Sequence, residues 1–441
     1  MSSYTKTIQL LSASQRHYRS SQGDMSRVAT IILGGGKGTR LYPLTQNHCK
    51  PAISFGGRYK LIDVPISNSL NSGCNKIYVI TQFLSASLHQ HLFQTYRHDT
   101  FSKGFLEILT AEQRHNQSKW FEGTADAIRQ NMDYLTDTPA DYFLILSGDQ
   151  LYKMDFRHML NFAVQTDADL VVASLPISKK DAPRMGVLKV DENNFITDFC
   201  EKPQEEHLLE RMLSHHHHTL DKSDCPFLGS MGIYLFKREA LRQLLEQDTR
   251  EDFGKHLIPS KVRMGKAAAY LHEGYWEDIG TVGSFFNANM NLTRCTPTFN
   301  CHEEDWPIFS TRQNLPGARI HRTHIVDSII CEGSIVEADE VTNSILGPRT
   351  VVKKGSIIRN TYALGNDFYK PPIHPGRLPG ELHIGENCAI HNAILGKHVY
   401  LNNVQLINKN KLDHYDGKHV YIRDGIIVVP CGTSLPDGFV L

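Results

Sequence analysis

Residues 28–41, "VATIILGGGKGTRL", join an uninterrupted apolar run to a loop of four glycines that also carries two basic side chains. The run 28–33 is rich in β-branched residues and ends where the glycines begin, which predicts a buried strand followed by a turn. In open α/β sheets, ligands bind at the carboxyl ends of the strands. The stretch therefore predicts a ligand site at the end of a buried strand.

The same alternation continues to about residue 290. Short apolar runs predict further strands, and longer segments with helical periodicity separate them, which is typical of an α/β domain with helices on both faces of its sheet. The strand candidates are "KIYVIT" (76–81), "YFLILSGD" (142–149), "DLVVASLPI" (169–177) and "MGIYLF" (231–236). The clearest helix candidates are "TADAIRQNMDYL" (124–135) and "REALRQLLEQ" (238–247).

The glycine spacing of the first loop matches neither GxGxxG nor GxxxxGK[ST], so neither a dinucleotide-binding fold nor a P-loop is supported. Glycines still let the backbone approach a bulky anion, and unpaired amides at a following helix start attract phosphate. A glycine-rich turn that binds nothing remains the alternative. Three basic side chains add positive charge to the same cradle: Lys37, Arg40 and Lys50.

Two aspartates stand in similar settings far apart in the chain. Asp149 ends the apolar run "FLILSGD", and Asp278 lies in "GYWEDIGT". Two such carboxylates could hold one Mg²⁺, which takes one or two protein carboxylates and leaves its other positions to water and phosphate. Taken singly, each could equally cap a turn. Glu201 and Lys202 precede a proline and could bind a sugar and its phosphate, or form a solvated surface ion pair.

The composition and periodicity of the sequence change after residue 293. Residues 294–318, "RCTPTFNCHEEDWPIFSTRQNLPGA", are aperiodic and predict an interdomain linker. Beyond them, aliphatic residues recur at intervals of six, which predicts the stacked triangular coils of a parallel β-helix, with ordinary strands as the alternative. The repeated positions are Leu346, Val352, Ile358 and Leu364, then Leu395, Leu401 and Ile407, with the shorter pairs Ile330–Val336 and Ile384–Ile390.

Composition limits the classes of partner. Lys and Arg total 47, as do Asp and Glu, so bulk charge favours neither a nucleic acid nor a membrane partner. The nine cysteines include no CxxC pair, which disfavours a disulfide framework or a zinc ribbon. We expect a cytoplasmic enzyme of two domains. The Ser- and Arg-rich start predicts a frayed extension, with an organellar transit peptide as the alternative.

Several motifs occur in a fixed order and resemble the glucose-1-phosphate adenylyltransferase (ADP-glucose pyrophosphorylase) family over about residues 27–441. That resemblance implies a Rossmann-like α/β nucleotidyltransferase domain with a mostly parallel sheet, followed by a left-handed parallel β-helix. It implies an N-terminal extension (1–26), a catalytic domain (27–294), a linker (295–316) and a β-helix domain (317–441). The motifs are "LGGGKGTRLYPLT" (33–45), "CKPAISFGGRYKLIDVPISNSLNSG" (49–73), "VITQF" (79–83), "WFEGTADAIRQ" (120–130), "LSGDQLYKMD" (146–155), "EKPQ" (201–204), "SMGIYLF" (230–236) and "GYWEDIGT" (274–281).

By resemblance, the reaction is Mg²⁺-dependent transfer of an adenylyl group from ATP to glucose 1-phosphate, with Arg40, Lys50 and Asp149 in catalytic roles. Asp149 and Asp278 are the implied metal ligands. Small-molecule effectors and a homotetramer are implied as well. The implied ATP-binding residues are Gly34, Gly35, Thr39, Gln82, Gln113, Gly123 and Thr124, and the implied glucose 1-phosphate residues are Phe121, Gly186, Glu201, Lys202 and Ser230.

Three other functions stay open at this point. The chain could transfer another nucleotide to another sugar phosphate, or it could be a weakly catalytic regulatory subunit of such an enzyme. Hexad β-helices also form acyltransferases that use a histidine and acetyl-CoA, for which the candidates are His383, His391 and His398.

Overall fold

The computed structural model of the chain describes residues 23–97, 104–111, 120–213, 226–370 and 382–441. Residues 1–22, most of the predicted extension, and the predicted ATP-binding residue Gln113 lie outside them. The N-terminal strands are β1 (Val28–Leu33), β2 (Ser54–Phe55), β3 (Tyr59–Lys60), β4 (Lys76–Thr81), β5 (Phe105–Thr110), β6 (Tyr142–Ser147), β7 (Gln150–Tyr152), β8 (Leu170–Ile177), β9 (Gly186–Val190), β10 (Ile196–Glu201), β11 (Phe227–Lys237), β12 (Ala267–Leu271) and β13 (Trp276–Asp278).

Helices connect these strands. The two helices predicted most clearly are present, although the first is broken at Asn131 into two short segments. The helices are α1 (Asp63–Asn71), α2 (Ala86–Thr95), α3 (Thr124–Gln130), α4 (Met132–Thr136), α5 (Phe156–Thr166), α6 (Glu206–Arg211), α7 (Arg238–Gln247), α8 (Ile258–Met264) and α9 (Val282–Asn291).

Nine of the described strands form one sheet with the order β10-β9-β11-β6-β1-β4-β5; β8 also pairs with β11, and β12 pairs with β8. Strands β5, β4, β1 and β6 are parallel, whereas β11 runs antiparallel to β6, β8 and β9. The carboxyl ends of β1 and β6 therefore lie side by side. The glycine-rich loop and Asp149 follow these two strands and consequently meet at one edge of the sheet.

The sheet is buried on both faces. Val28 and Ile32 of β1 pack in one hydrophobic cluster, and Ala29 and Ile31 pack in another on the opposite face. Successive side chains of a strand point to opposite faces. Because both faces of β1 are buried, its sequence is a continuous apolar run and not an alternation of apolar and polar residues.

The segment between α9 and β14, all of it described, forms no helix or strand and lies along α1. Trp306 Nε1 donates a hydrogen bond to Asn68 Oδ1 (2.7 Å), and Ser310 Oγ donates one to Asp63 Oδ2 (2.7 Å). His91 Nε2 lies 2.6 Å from Asp63 Oδ1. The segment is therefore fastened to the N-terminal domain by partly buried hydrogen bonds.

Most C-terminal strands stack as parallel coils, as predicted, whereas residues 421–423 pair antiparallel with 414–416 and with 426–429. Buried columns of the stack are aliphatic, and one runs from Val352 through Ile384 to Leu401. The strands are β14 (Arg319–Ile320), β15 (His324–Val326), β16 (Ile329–Ile330), β17 (Ile335–Val336), β18 (Glu340–Thr342), β19 (Ile345–Leu346), β20 (Val351–Val352), β21 (Ile357–Ala363), β22 (Ala389–Leu395), β23 (Gln405–Leu406), β24 (His414–Asp416), β25 (Tyr421–Arg423) and β26 (Ile426–Val429).

The strict six-residue spacing fails at two positions. Ala363, and not Leu364, stacks on Leu346, and Leu406, and not Ile407, stacks on Ile390. In β21 the step from Ile358 to the next stacked position, Ala363, is therefore five residues long instead of six. Leu364 instead packs in the cluster shared with the catalytic domain. In the described part of the chain, no helix is long and apolar enough to cross a membrane.

Candidate active site

The glycine-rich loop leaves β1 and folds over Lys50. The Gly34 amide donates a hydrogen bond to the carbonyl of Ile80 (2.8 Å), which continues the sheet by one residue. Gly38 has a left-handed φ of 61°, and a Cβ there would lie 3.0 Å from Thr45 and 3.2 Å from the Cβ of Lys50. Glycine is required because the loop turns sharply against the segment that carries the lysine.

Lys50 begins a short 3₁₀ helix (Lys50–Ala52), and its side chain is largely buried. Its ammonium lies 2.5 Å from Asp149 Oδ2 and 3.4 Å from Asp278 Oδ1. Burial disfavours the charged amine, but attraction to the two carboxylates outweighs burial and raises the pKa of Lys50. The pKa of Asp149 is lowered, because Lys50 outweighs the opposing effect of burial. One cation therefore bridges both predicted metal ligands.

Strand pairing brings Asp278 to Asp149. β13 pairs antiparallel with β7, and Asp278 stands opposite Gln150, the residue after Asp149. The Gly148 amide donates a hydrogen bond to the Leu33 carbonyl (3.0 Å), which ties this turn to the end of β1. Ser147 Oγ donates a hydrogen bond to Asp149 Oδ1. The two aspartates thus meet at the end of β1 although β7 and β13 are far apart in sequence.

Arg40 reaches the same place from the glycine-rich loop. A Cβ on Gly280 would lie 3.0 Å from Asp278 Oδ2 and 3.7 Å from both terminal nitrogens of the Arg40 guanidinium. Gly280 is therefore the point at which the segments carrying Arg40 and Asp278 approach each other. The predicted catalytic residues Arg40, Lys50 and Asp149 surround one small volume.

A cavity of ≈ 650 Å³ opens beside this volume. Lys202 Nζ lies 3.1 Å from Glu201 Oε1, and a Cβ on Gly186 would lie 2.8 Å from Glu201 Oε2. Most of the predicted glucose 1-phosphate residues therefore share one cavity with a predicted catalytic arginine and a predicted metal ligand. The predicted residues that line it are Arg40, Gly186, Glu201, Lys202, Ser230 and Asp278.

Phe121, a predicted glucose 1-phosphate residue, lies outside this cavity. The described residues that line the cavity do not include it. Its backbone amide donates a hydrogen bond to Gln82 Oε1 (2.6 Å), and Gln82 Nε2 donates one to its carbonyl (3.3 Å). A Cβ on Gly35 would lie 3.6 Å from the Cβ of Gln82. The structure therefore groups Phe121 with the predicted nucleotide residues.

Gly123 and Thr124, which are also predicted nucleotide residues, stand at the start of α3. A Cβ on Gly123 would lie 2.3 Å from the Glu251 carbonyl oxygen, so only glycine fits there. Thr124 Oγ1 accepts a hydrogen bond from the Phe253 amide (3.1 Å). Thr39, the first residue of a 3₁₀ helix, lines a cleft next to the glycine-rich loop.

Sequence reasoning missed several residues of the cavity. Trp276 and Gln150 face it from the paired strands β13 and β7, and Trp276 Nε1 donates a hydrogen bond to Gln150 Oε1 (3.3 Å). Gln150 Nε2 in turn donates one to the Met231 carbonyl (2.8 Å). The sequence could have indicated both residues, because they lie beside Asp278 and Asp149 in the two motifs.

The acyltransferase candidates do not converge. His398 lines a cavity between the two domains, where its ring stacks on Phe368 at 4.5 Å and Nε2 lies 3.1 Å from Asp367 Oδ2. His391 lines a separate cleft of ≈ 260 Å³. The ring of His383 packs edge-on against Tyr400.

The catalytic domain matches a family model described as nucleotidyl transferase over residues 29–294. The chain belongs to the nucleotidyl transferase family. A second family model, described as the GLGC left-handed parallel beta-helix domain, matches residues 313–440. A nucleotidyl transferase domain followed by this β-helix is the architecture of ADP-glucose pyrophosphorylase-like proteins. The predicted α/β fold and left-handed β-helix are confirmed, and the family supports nucleotidyl transfer as the chemistry.

The nucleotidyl transferase site has the donors that Mg²⁺ prefers. Among the described residues no cluster of three or more His, Cys, Asp or Glu could hold a metal, but two carboxylates suffice when phosphate and water complete the shell. Asp149 and Asp278 already share a cation, the Lys50 ammonium, and their side chains remain 23% and 40% exposed. The pair therefore fits a hydrated divalent cation.

Proposed function

We propose that the chain is a glucose-1-phosphate adenylyltransferase, which converts ATP and α-D-glucose 1-phosphate to ADP-glucose and diphosphate. One observation carries the proposal: a cavity lined by Lys202 and Glu201 opens onto Arg40 and Asp278, at the end of the strand that bears the glycine-rich loop. The motifs that resemble this family support the choice of ATP and glucose. ADP-glucose would supply glycogen or starch synthesis in the cytoplasm.

The reaction needs positioning more than proton transfer. A phosphate monoester with a second pKa of about 6 is already ionised at neutral pH, so a general base is not required. An oxygen of glucose 1-phosphate attacks the α-phosphorus of ATP in line, and the bond to the β-phosphate breaks to release diphosphate. Lys202 would hold the sugar phosphate, Glu201 and Ser230 the sugar hydroxyls, and Arg40 and Lys50 the charge that develops on the nucleotide.

Asp149 and Asp278 would hold Mg²⁺. Bound Mg²⁺ supplies charge neutralisation and orientation for the triphosphate. Lys50 lies against the same two carboxylates, so its ammonium is placed to contact the phosphate oxygens next to the cation. The Ser147 hydroxyl fixes the orientation of the Asp149 carboxylate through its hydrogen bond.

The nucleotide would lie across the glycine-rich loop. The backbone amides of Gly35 and Thr39 would face the phosphates, and Gly34, whose amide is bonded to the Ile80 carbonyl, would border them. The pairing of Gln82 with the Phe121 backbone joins this loop to the start of α3 and supports a base pocket there. By the same proposal, Gly123 and Thr124 border the nucleotide, as does Gln113.

Diphosphate release with glucose 1-phosphate and Mg²⁺ tests the proposal when ATP is compared with UTP and dTTP. We expect a kcat/KM for ATP that exceeds the other two by about 100-fold, as a site that pairs with the base edge can achieve. Faster turnover with UTP or dTTP would assign the chain to another nucleotidyl transferase. Absence of turnover with all three would favour the regulatory-subunit alternative, although Arg40, Lys50, Asp149, Lys202 and Asp278 are all present.

We also propose that effectors bind between the two domains and that the chain forms a homotetramer. A cavity of ≈ 680 Å³ between the catalytic domain and the β-helix is lined by the cations Arg58, Lys60, Arg349 and Lys397. Asp367, paired with Lys397, is the acidic residue among the described residues that line it. The excess of positive charge suits phosphorylated metabolites. Activity assays with glycolytic intermediates, AMP and orthophosphate test the effector proposal, and light scattering tests the tetramer.

A further inference from the structure

A tight turn at the edge of the β-helix carries an aspartate towards the catalytic domain. Asp424 and Gly425 have φ of 52° and 75° and join β25 to β26, whose residues Arg423 and Ile426 are paired. Two consecutive positive φ values are those of a type I′ hairpin turn, for which Asp-Gly is a preferred sequence. The Gly425 carbonyl accepts hydrogen bonds from the side-chain amides of Asn392 (3.1 Å) and Asn408 (3.2 Å). The turn is therefore anchored in the β-helix.

Asp424 caps a helix of the catalytic domain. The Gly283 amide in the first turn of α9 donates a hydrogen bond to Asp424 Oδ2 (2.8 Å). A Cβ on Gly283 would lie 2.8 Å from the same oxygen, so the approach needs glycine. A carboxylate at a helix N-terminus satisfies an unpaired amide and interacts favourably with the helix dipole. Helix α9 begins directly after the segment that carries Asp278.

Strand β25, which leads into this turn, also contacts the segment that carries Arg40. Tyr421 Oη lies 3.3 Å from Tyr42 Oη, and the two rings meet edge to face with centroids 5.5 Å apart. Tyr42 follows the 3₁₀ helix Thr39–Leu41, in which Arg40 is the middle residue. Tyr421 in β25 and Asp424 in the turn after it therefore contact the two chain segments that converge at Gly280.

These contacts lie next to the reaction centre, and Asp424 lines the same cleft as Thr39 and Arg40. The Arg40 guanidinium and the Asp278 carboxylate approach each other across Gly280, and each segment is fastened to the β-helix a few residues away. Displacement of reacting groups by about 1 Å can reduce the rate of a reaction on the order of 100-fold. A rigid support shared by both segments restricts such displacement.

We propose that the edge formed by Tyr421 and Asp424 is a positioning element of the reaction centre, which sets the placement of Arg40 relative to Asp278. The proposal rests on the proposed nucleotidyl transfer at that centre. Because Asp424 acts through α9, its loss affects the rate of the chemical step more than the binding of either substrate. Asp424 and Tyr421 are thus positioning residues of the catalytic domain supplied by the other domain.

Kinetics of the full-length chain test this role. In Asp424→Ala we expect kcat to fall about tenfold, while KM for ATP and for glucose 1-phosphate changes by less than about twofold. Asp424→Asn retains an acceptor oxygen and should restore most of kcat. The matched control is Asp437→Ala, because Asp437 pairs with Asn402 within the β-helix. Equal losses in the Ala and Asn variants of Asp424, or a raised KM with unchanged kcat, would overturn the proposal.

Hydrogen exchange followed by mass spectrometry gives a second readout that needs no turnover. Asp424→Ala should speed exchange in peptides covering residues 37–46 and 276–284, and Asp437→Ala should not. If the wild-type chain transfers no nucleotide, the proposed function fails, but the exchange data still decide whether the edge restrains these segments. Should Asp424→Ala not fold, Tyr421→Phe removes one hydroxyl and must still speed exchange at 37–46. Wild-type exchange and kcat in the folded variant would refute the positioning role.

Discussion

Lys50 and Asp149 form an ion pair of 2.5 Å at the point where the ends of two neighbouring parallel strands meet. Both side chains are largely withdrawn from water, so neither charge is screened as a surface pair would be. Asp278 approaches the same ammonium from a distant strand. The pair therefore organises a site in which positive charge already lies where a nucleotide triphosphate would bring negative charge.

Lys50→Met should remove this organising cation. Loss of a positioned charge in a water-poor site costs about 3 kcal/mol of transition-state stabilisation, which lowers kcat/KM on the order of 100-fold. Steady-state diphosphate release measures the change. Lys409→Met, at an exposed position of the β-helix, is the matched control. Retention of more than half of the wild-type kcat/KM in Lys50→Met would contradict the role given to Lys50.

Lys202→Ala should impair the use of glucose 1-phosphate and leave the use of ATP nearly unchanged. Lys202 lies in the cavity next to Glu201 and away from the residues grouped around Gln82, so its loss should raise KM for glucose 1-phosphate about tenfold or more and change KM for ATP little. Lys180→Ala, at an exposed position of a nearby loop, serves as the control. Equal increases in both KM values would place Lys202 outside the sugar-phosphate site.

The interdomain cavity should bind anions more weakly as pH rises through 8. Burial and the nearby Lys397 ammonium lower the pKa of Lys60 to about 8. Lys60 is therefore charged below that pH and becomes neutral above it, whereas phosphomonoesters stay ionised throughout. Calorimetric titration with 3-phosphoglycerate at pH 7, 8 and 9 should show affinity falling by up to about tenfold per pH unit at the alkaline end.

The control for this pH effect is Lys60→Arg, because a guanidinium keeps its charge throughout this range. In that variant the affinity for 3-phosphoglycerate should vary little between pH 7 and 9. A pH-independent affinity in the wild-type chain would mean that Lys60 does not contribute charge to the bound anion.

The glycine-rich loop offers a matched pair of substitutions. Gly38→Ala places a Cβ 3.0 Å from Thr45 at a left-handed φ and should cost about 1–3 kcal/mol, which lowers the thermal midpoint by several degrees and reduces kcat. Gly36→Ala meets nothing within 4 Å and should leave the midpoint unchanged. Differential scanning calorimetry compares the two variants. Equal midpoints would show that the left-handed turn is not a constraint on the loop.

Local patterns were enough to predict most of the elements. The apolar runs 28–33 and 76–81 coincide with β1 and β4, and residues 238–247 coincide with α7. Repeated aliphatics predicted the β-helix, because an inward-facing side chain must recur once on each face of every coil. The spacing failed between Ile358 and Ala363, where the step is five residues long, since a repeat in the sequence does not specify the length of each turn.

What the sequence alone determined is therefore the kind of each element and the residue types of the site, because strand burial, helix periodicity and glycine-rich turns depend on neighbours along the chain. The tertiary structure decided which distant residues meet. The β7–β13 register joins Asp278 to Asp149, the pairing of β1 with β6 brings the glycine-rich loop beside Asp149, and the turn at Asp424 reaches α9 from another domain. Such contacts follow from strand order and domain packing, which no local pattern specifies.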